Sequence, residues 1–397
     1  MVEKSKNTIW CKDFILLLIL NGANGMSFQI IAPNLPVFAK QLGFAESLIG
    51  ILAASLAFGA LLSRFFVGVI VDRMNRRKLS MISLFLTSVT IIALEWASTP
   101  LTLIGIRFIG GLLFGLNSTV TMTIAACITP EEKMGQVIGV MGVTGVGSQA
   151  IGPAIGLFIV GRWDFSGLFL FTSVIALVIA PLSLAVKETQ LPGRSGESGV
   201  LKKRFSIRDL IVPDIVAFSL IGLLVCSANS AINNFIILYG LAKGIGNVGF
   251  YFTVCACVII ATRFLGGFLT DKYPFQWIVY PCSALFIIAL VLLSNAVSIL
   301  MIVSAAVLVG MAHGITVPTL QASGIRLVES SRRGAAVATS YIGFDSAQML
   351  GPIIMGSVVQ AAGFKAGFLS LCIPVVAAAP LIAFQTRKLR SIQASSV

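Results

Sequence analysis

Apolar residues run in blocks of about twenty, separated by short polar turns, and twelve such blocks can be laid along the chain. They cover residues 13–37, 47–70, 79–97, 101–125, 134–160, 165–186, 213–240, 247–270, 277–295, 298–322, 333–360 and 365–385. Each is much longer than the roughly ten residues of a barrel strand, so the pattern predicts helical spans. The widest gap, 187–212, holds Pro192, Gly193, Ser195, Gly196, Ser198 and Gly199, then Lys202, Lys203, Arg204 and Arg208. It reads as a flexible linker running into a basic segment on the membrane surface. The expected architecture is an all-α membrane protein with twelve transmembrane helices. Residues 1–186 form one six-helix half, 187–212 a cytoplasmic linker and 213–397 the second half.

The two halves repeat. Arg64-Phe65-Phe66-Val67-Gly68 through Asp72-Arg73 lines up with Arg263-Phe264-Leu265-Gly266-Gly267 through Asp271-Lys272, at an offset of 199 residues. At that offset Asn34 matches Asn233, Gly115 matches Gly314, Gly135 matches Gly334, Gln149 matches Gln348, and Gly152-Pro153 matches Gly351-Pro352. Six spans followed by six of the same topology predict parallel halves around a central cavity, as in a transporter that rocks about a central site.

Composition narrows the class. The chain is 57% hydrophobic and 11% charged, against about 25% charged for a soluble domain. Its net charge of +13 does not point to nucleic acid, because the bases sit in short turns between apolar blocks. With both termini and the linker in the cytoplasm, four bases fall outside (Lys40, Arg162, Lys243, Lys365) and three within spans (Arg64, Arg107, Arg263). The other 21 of 28 are cytoplasmic, which sets the orientation. Lys4, Lys6 and Lys12 precede the first apolar block without a small-residue cleavage site, so that block reads as a retained span of a plasma-membrane protein. Seven scattered cysteines form no C-x-x-C and there is one histidine, so no metal or cofactor is expected. No P-loop occurs, and no nucleophile–base pair lies near the midplane, which argues against an ATPase or another enzyme.

Several stretches resemble the major facilitator superfamily. Gly68-Val69-Ile70-Val71-Asp72-Arg73-Met74-Asn75-Arg76-Arg77 is similar to that superfamily's loop motif between spans 2 and 3, with Asn75 in place of a glycine. Asn tolerates the left-handed conformation that a glycine there would adopt. Gly105-Ile106-Arg107-Phe108-Ile109-Gly110-Gly111 resembles the span-4 motif with its intramembrane arginine. Ser148 through Gly156, with Gly152, Pro153 and Gly156, resembles the span-5 antiporter motif, and Arg162-Trp163-Asp164-Phe165 the turn after it. Ala32-Pro33-Asn34-Leu35-Pro36 resembles the end of span 1 in twelve-span drug:proton antiporters. The resemblance covers essentially the whole chain and implies export; it names no substrate.

Candidate site residues follow from the few polar positions within spans. Asn21, Asn24 and Phe28 share a face in span 1, Asn117 and Thr121 in span 4, Asn229 and Asn233 in span 7, and His313 and Thr316 in span 10. Spans 3, 6, 9 and 12 carry few polar residues, as a cavity lined by spans 1, 4, 7 and 10 requires. For any one Asn, a bond between helices is the competing reading; for His313 it is packing. Asp345 is the acid deepest within a span and shares a face with Tyr341 and Gln348. It is the proton-coupling candidate, with Arg107 as its proposed partner. A carboxylate there pays desolvation when charged and can carry a proton between water-filled sides. The competing reading is a permanently hydrogen-bonded interior acid. Gly68, Asp72, Arg73 and Arg76, mirrored by Asp271, are the candidate cytoplasmic gate, Asp72 facing the positive end of span 11; a topology signal is the alternative. The expected function is proton-coupled export of small amphiphilic compounds. The expected partners are the lipid bilayer, a small-molecule substrate and protons, with no nucleic acid, on a monomer. The runner-up is export of a polar metabolite such as a sugar or a siderophore.

Overall fold

The computed structural model describes residues 10–129, 133–187, 212–325, 327–328 and 333–395. All but the two end residues of the predicted linker lie outside them. Every regular element among the described residues is a helix. In chain order these are α1 (Lys12–Ile31), α2 (Leu35–Gln41), α3 (Glu46–Arg73), α4 (Arg76–Ala93), α5 (Pro100–Ile128) and α6 (Met134–Ile179), followed by α7 (Pro213–Lys243), α8 (Phe250–Lys272), α9 (Phe275–Ser294), α10 (Ile299–Ile325), α11 (Arg333–Ser370), α12 (Cys372–Ala377) and α13 (Ala379–Ser395).

Nine segments among the described residues are long and apolar enough to cross a membrane, and a shorter apolar helix covers Phe250–Arg263 within α8. Two of the nine are double-length. The first breaks inside α6 at Trp163 (φ −134°, ψ 18°) and Asp164 (φ 56°, ψ −167°). The second breaks inside α11 at Gly363 (φ 76°, ψ 174°). Asp164 and Gly363 are 199 residues apart, so the repeat extends to the backbone turn between paired spans. Aspartate is among the few residues besides glycine found with positive φ. Divided at these breaks, the apolar segments fit a twelve-span protein.

Local chemistry sets the ends. Thr99 and Thr102 form a reciprocal capping box ahead of Pro100, at 3.3 and 3.2 Å, and start α5. Asn75 does not adopt the left-handed conformation anticipated from its place in the loop motif. It is extended (φ −65°, ψ 114°), and its side-chain oxygen accepts the Lys78 N–H at 3.2 Å, so it N-caps α4. The first span is interrupted after Ile31, where Pro33 and Pro36 each remove a backbone donor, and resumes as α2. By contrast α6 keeps helical angles through Pro153.

The chain groups into two compact units. The first comprises Met1–Ala32 and Gly59–Lys203, the second Pro33–Phe58 and Arg204–Val397. In the first, α1 lies against α6 and α3 against α5, both at glycines. A methyl group at Gly152 of α6 would sit 2.8 Å from Gln29 Cβ and 3.1 Å from Ile30 N, both on α1. One at Gly115 of α5 would collide with Ser63 Oγ of α3. In the second unit, a methyl group at Gly351 of α11 would meet the Ser227 carbonyl of α7, and one at Gly314 of α10 would meet Thr262 Oγ1 of α8. Gly152 and Gly351, Gly115 and Gly314, and Ser63 and Thr262 are all repeat mates, so each unit builds the same two seams. Residues 33–58 join the second unit through another glycine seam: a methyl group at Gly356 of α11 would lie 3.1 Å from Gly50 Cα of α3. Ser47 N–H also donates to Gln360 Oε1 at 3.2 Å.

Gly152→Val is expected to destabilise the protein by about 1–3 kcal/mol, because the neighbouring backbone must move. Gly145→Val, on the same helix with nothing within 4 Å of the added carbon, is expected to stay within about 0.5 kcal/mol. Thermal unfolding of the two purified variants in detergent checks this; equal losses would show that the seam is not close-packed.

Candidate functional site

In the first unit the polar residues of the first and fourth spans divide into two kinds. Asn21 Nδ2 donates to Thr144 Oγ1 at 2.7 Å and to the Met141 carbonyl at 3.3 Å, so Asn21 ties α1 to α6. Asn117 is fully buried; its Oδ1 accepts from Ser80 at 2.7 Å and from Ser83 at 3.3 Å, both on α4, while its Nδ2 has no partner among the described residues. Thr121 donates back to the Asn117 carbonyl at 2.9 Å. Asn24 differs: it is 1% exposed and its Oδ1 has no partner among the described residues. Phe28, one turn on from Asn24, meets Phe114 of α5 edge to face with ring centres 4.7 Å apart. Arg107 of α5 is 5% exposed, and its Nε has no partner among the described residues. A charged side chain at the centre of a bilayer costs about 2.5–3.5 kcal/mol on insertion scales, so its retention here asks for a role.

The second unit shows the same division. Ser219 donates to the Thr339 carbonyl, and Ser230 to the Gln348 carbonyl at 3.2 Å, tying α7 to α11. Asn229 is buried with Oδ1 unpartnered among the described residues, and the half-buried Asn233 is one turn further on. On α10, His313 is half-buried and its Nδ1 has no hydrogen bond among the described residues, and Thr316, one turn on, is fully buried. On α11, Tyr341 is 36% exposed, Asp345 is half-buried and Gln348 is exposed, so one accessible face carries all three. The Tyr341 ring stands edge-on to Phe344, with centres 6.3 Å apart.

Buried polar atoms without partners among the described residues thus recur on α1 and α5 of one unit and on α7 and α10 of the other. Tyr251 OH of α8 and Gln385 Oε1 of α13 are further examples. The sequence did not single out Ser80, Ser83 or Phe114. The helical spacing of Phe114 from Arg107, two turns along one face, was the available clue for the aromatic pair.

The side chains of Gly68, Asp72, Arg73 and Asp271 lie outside the described residues. Arg76 reaches Cys127 Sγ at 3.3 Å, and Arg77 reaches the Val186 carbonyl at 3.4 Å. The basic turn is therefore held against the ends of α5 and of the short helical segment after α6. In the antiporter-like motif Gly152, Pro153 and Gly156 are all buried. Ser148, just before them, donates to the Gly22 carbonyl of α1 at 3.0 Å.

Known proteins fit this geometry. The profile of the Major Facilitator Superfamily matches residues 17–339. The chain is 24% identical over 359 residues to the multidrug resistance protein MdtG of Klebsiella pneumoniae, covering 87% of this chain and 86% of that one. It is 25% identical over 398 residues to the multi-drug resistance efflux pump PmrA of Streptococcus pneumoniae, covering 95% and 97%. Its fold is similar to the crystal structure of a bacterial homologue of the human lysosomal transporter Spinster in an inward-facing and occupied conformation. The TM-score there is 0.78 at 14% identity, covering 94% of this chain and 96% of that one.

The two kinds of asparagine separate experimentally. Asn117→Ala strands the Ser80 hydroxyl, while Ser83 keeps the Ser80 carbonyl at 2.9 Å, and is expected to cost about 1–3 kcal/mol of stability. Asn24→Ala removes no hydrogen bond accepted by Oδ1 among the described residues and is expected to leave stability within about 1 kcal/mol while weakening substrate binding. Unfolding midpoints and ligand titrations on both variants check this; a large stability loss in Asn24→Ala would make it a packing residue.

Proposed function

The chain belongs to the Major Facilitator Superfamily, and we propose that it is a proton-coupled exporter of small amphiphilic compounds working by alternating access. It is a multi-pass membrane protein of the transporter class. The relatives named as multidrug pumps, matched along nearly the whole chain, support efflux of drug-like molecules. In this reading residues 1–186 and 213–397 are the moving halves, and Asp72 and Asp271 with the basic turn form the cytoplasmic gate. Asn24, Phe28, Asn229, Asn233, His313, Tyr341 and Gln348 contribute to the substrate cavity.

The observation that carries the coupling reading is the accessible face of α11, where half-buried Asp345 lies between exposed Tyr341 and Gln348. An acid there can meet water in one state and be enclosed in another, which is what carrying a proton across requires. Proton loading and substrate loading then compete, which is the requirement for antiport. Arg107 is the positive group that eases proton release.

Asp345→Asn is expected to abolish substrate accumulation against a gradient in energised vesicles while downhill exchange persists. Uphill transport by the variant would remove Asp345 from the coupling role.

Orientation follows the charge asymmetry, with the termini and the 187–212 linker in the cytoplasm of a plasma-membrane protein. A cysteine placed at Ser195 in a Cys-free background is expected to resist a membrane-impermeant maleimide in intact cells and to label after permeabilisation. Labelling in intact cells would reverse the orientation.

A further inference from the structure

Arg107 lies within the 29-residue helix α5 and is 5% exposed. Among the described residues of its unit it takes part in no ion pair, and its Nε finds no acceptor. The acids described in that unit are placed elsewhere. Asp13 accepts the Lys187 N–H at 3.0 Å, Glu95 accepts the Ser166 hydroxyl, and Asp164 is exposed at the turn within α6. A buried charge without a counter-charge is strongly unfavourable, so the surroundings of this guanidinium favour an anion.

The neighbouring residues give that anion a shape. Gly110 and Phe114 lie one and two turns beyond Arg107 on the same face of α5. Phe28 of α1 packs edge to face on Phe114 at 4.7 Å. A methyl group at Gly110 would be 3.7 Å from Phe28 Cε1 and 4.0 Å from Thr90 Oγ1, so the glycine keeps bulk away from the ring. A cation therefore stands on the same helix face as an aromatic pair, with a glycine between.

We propose that Arg107 anchors a monoanion site inside the first unit, whose ligand is an amphiphile carrying one carboxylate-type head on an aromatic or aliphatic body. The guanidinium offers paired N–H donors to two oxygens, and the Phe28–Phe114 pair offers apolar contact to the body. A free halide shares the charge but makes no use of the rings. The inference deepens the export reading by naming monoanionic amphiphiles as a substrate class, and it rests on that reading.

Equilibrium dialysis of the purified full-length protein in detergent, with radiolabelled 2-naphthoate and with radiolabelled chloride, tests it. Saturable naphthoate binding is expected, weakened by about tenfold or more in Arg107→Gln and partly kept in Arg107→Lys. Phe28→Ala is expected to weaken naphthoate by about fivefold and leave chloride unchanged. Gly110→Leu, which fills the space beside Phe28, serves where Arg107→Gln does not fold and is expected to exclude naphthoate. Chloride binding that depends on Arg107, with naphthoate indifferent to Phe28 and Gly110, would make the occupant a free halide and overturn the amphiphile. Absence of both anions from folded wild type, or binding indifferent to Arg107, would overturn the site. Proton-driven transport of a neutral dye in vesicles reads the export function separately. Its loss with naphthoate binding intact refutes export alone, and its persistence without naphthoate binding refutes the anion site alone.

Discussion

Close approach of helix backbones at glycine is the contact on which the rest of this molecule depends. In hydrocarbon each span satisfies its own backbone donors and acceptors, so helices gain little from exposing them to one another. Association relies on van der Waals contact, which small residues make possible by removing the side chain between two backbones. Gly152 against Gln29 and Ile30, and Gly351 against Ser227, place this contact at equivalent points of the two units. Gly115 against Ser63 and Gly314 against Thr262 do so for the second pair of helices. The serine and threonine hydroxyls at these seams bond mostly within their own helix, as Ser63 does to the Ala60 carbonyl at 2.7 Å and Thr262 to the Val258 carbonyl at 2.7 Å. They are small enough to fit and polar without demanding a distant partner.

With backbones held this closely, a polar side chain has two fates. Asn21 is tied to a neighbouring helix through Thr144, and Asn117 through its Oδ1 to Ser80 and Ser83, although its Nδ2 has no partner among the described residues. Asn24 and Asn229 keep a buried carbonyl oxygen without a partner among the described residues. Bonds of the first kind average about 0.6 kcal/mol between membrane helices, so they set register more than they add stability. Groups of the second kind carry a desolvation cost of about 1–3 kcal/mol each, which a transported molecule or water can relieve. The same logic separates the ionisable groups: Asp13 and Glu95, near helix ends, accept hydrogen bonds from Lys187 and Ser166, whereas Arg107 is enclosed within a span.

The apolar spans and the repeat were legible in the sequence because bilayer thickness and backbone satisfaction act on every residue of an apolar block. The glycine seams obey the offset of 199 residues that the sequence shows, and so does the turn at Asp164 and Gly363. The glycine motif around Gly152 and Pro153 was legible as a place of close packing for the same reason. What the sequence left open was the direction in which each polar side chain points. Asn21 and Asn24 are three residues apart on one helix face, and only the position of Thr144 on α6 makes one a tie and leaves the other unpaired. Asn75 was read for its backbone tolerance, but its side chain reaches the Lys78 N–H, and that capping bond fixes an extended conformation instead. The grouping of residues 33–58 with the second unit likewise depended on tertiary contact, since Gly50 finds Gly356 some three hundred residues along the chain. Periodicity encodes which positions avoid lipid or water. It does not encode which neighbour fills the space opposite, and that is decided only when the helices pack.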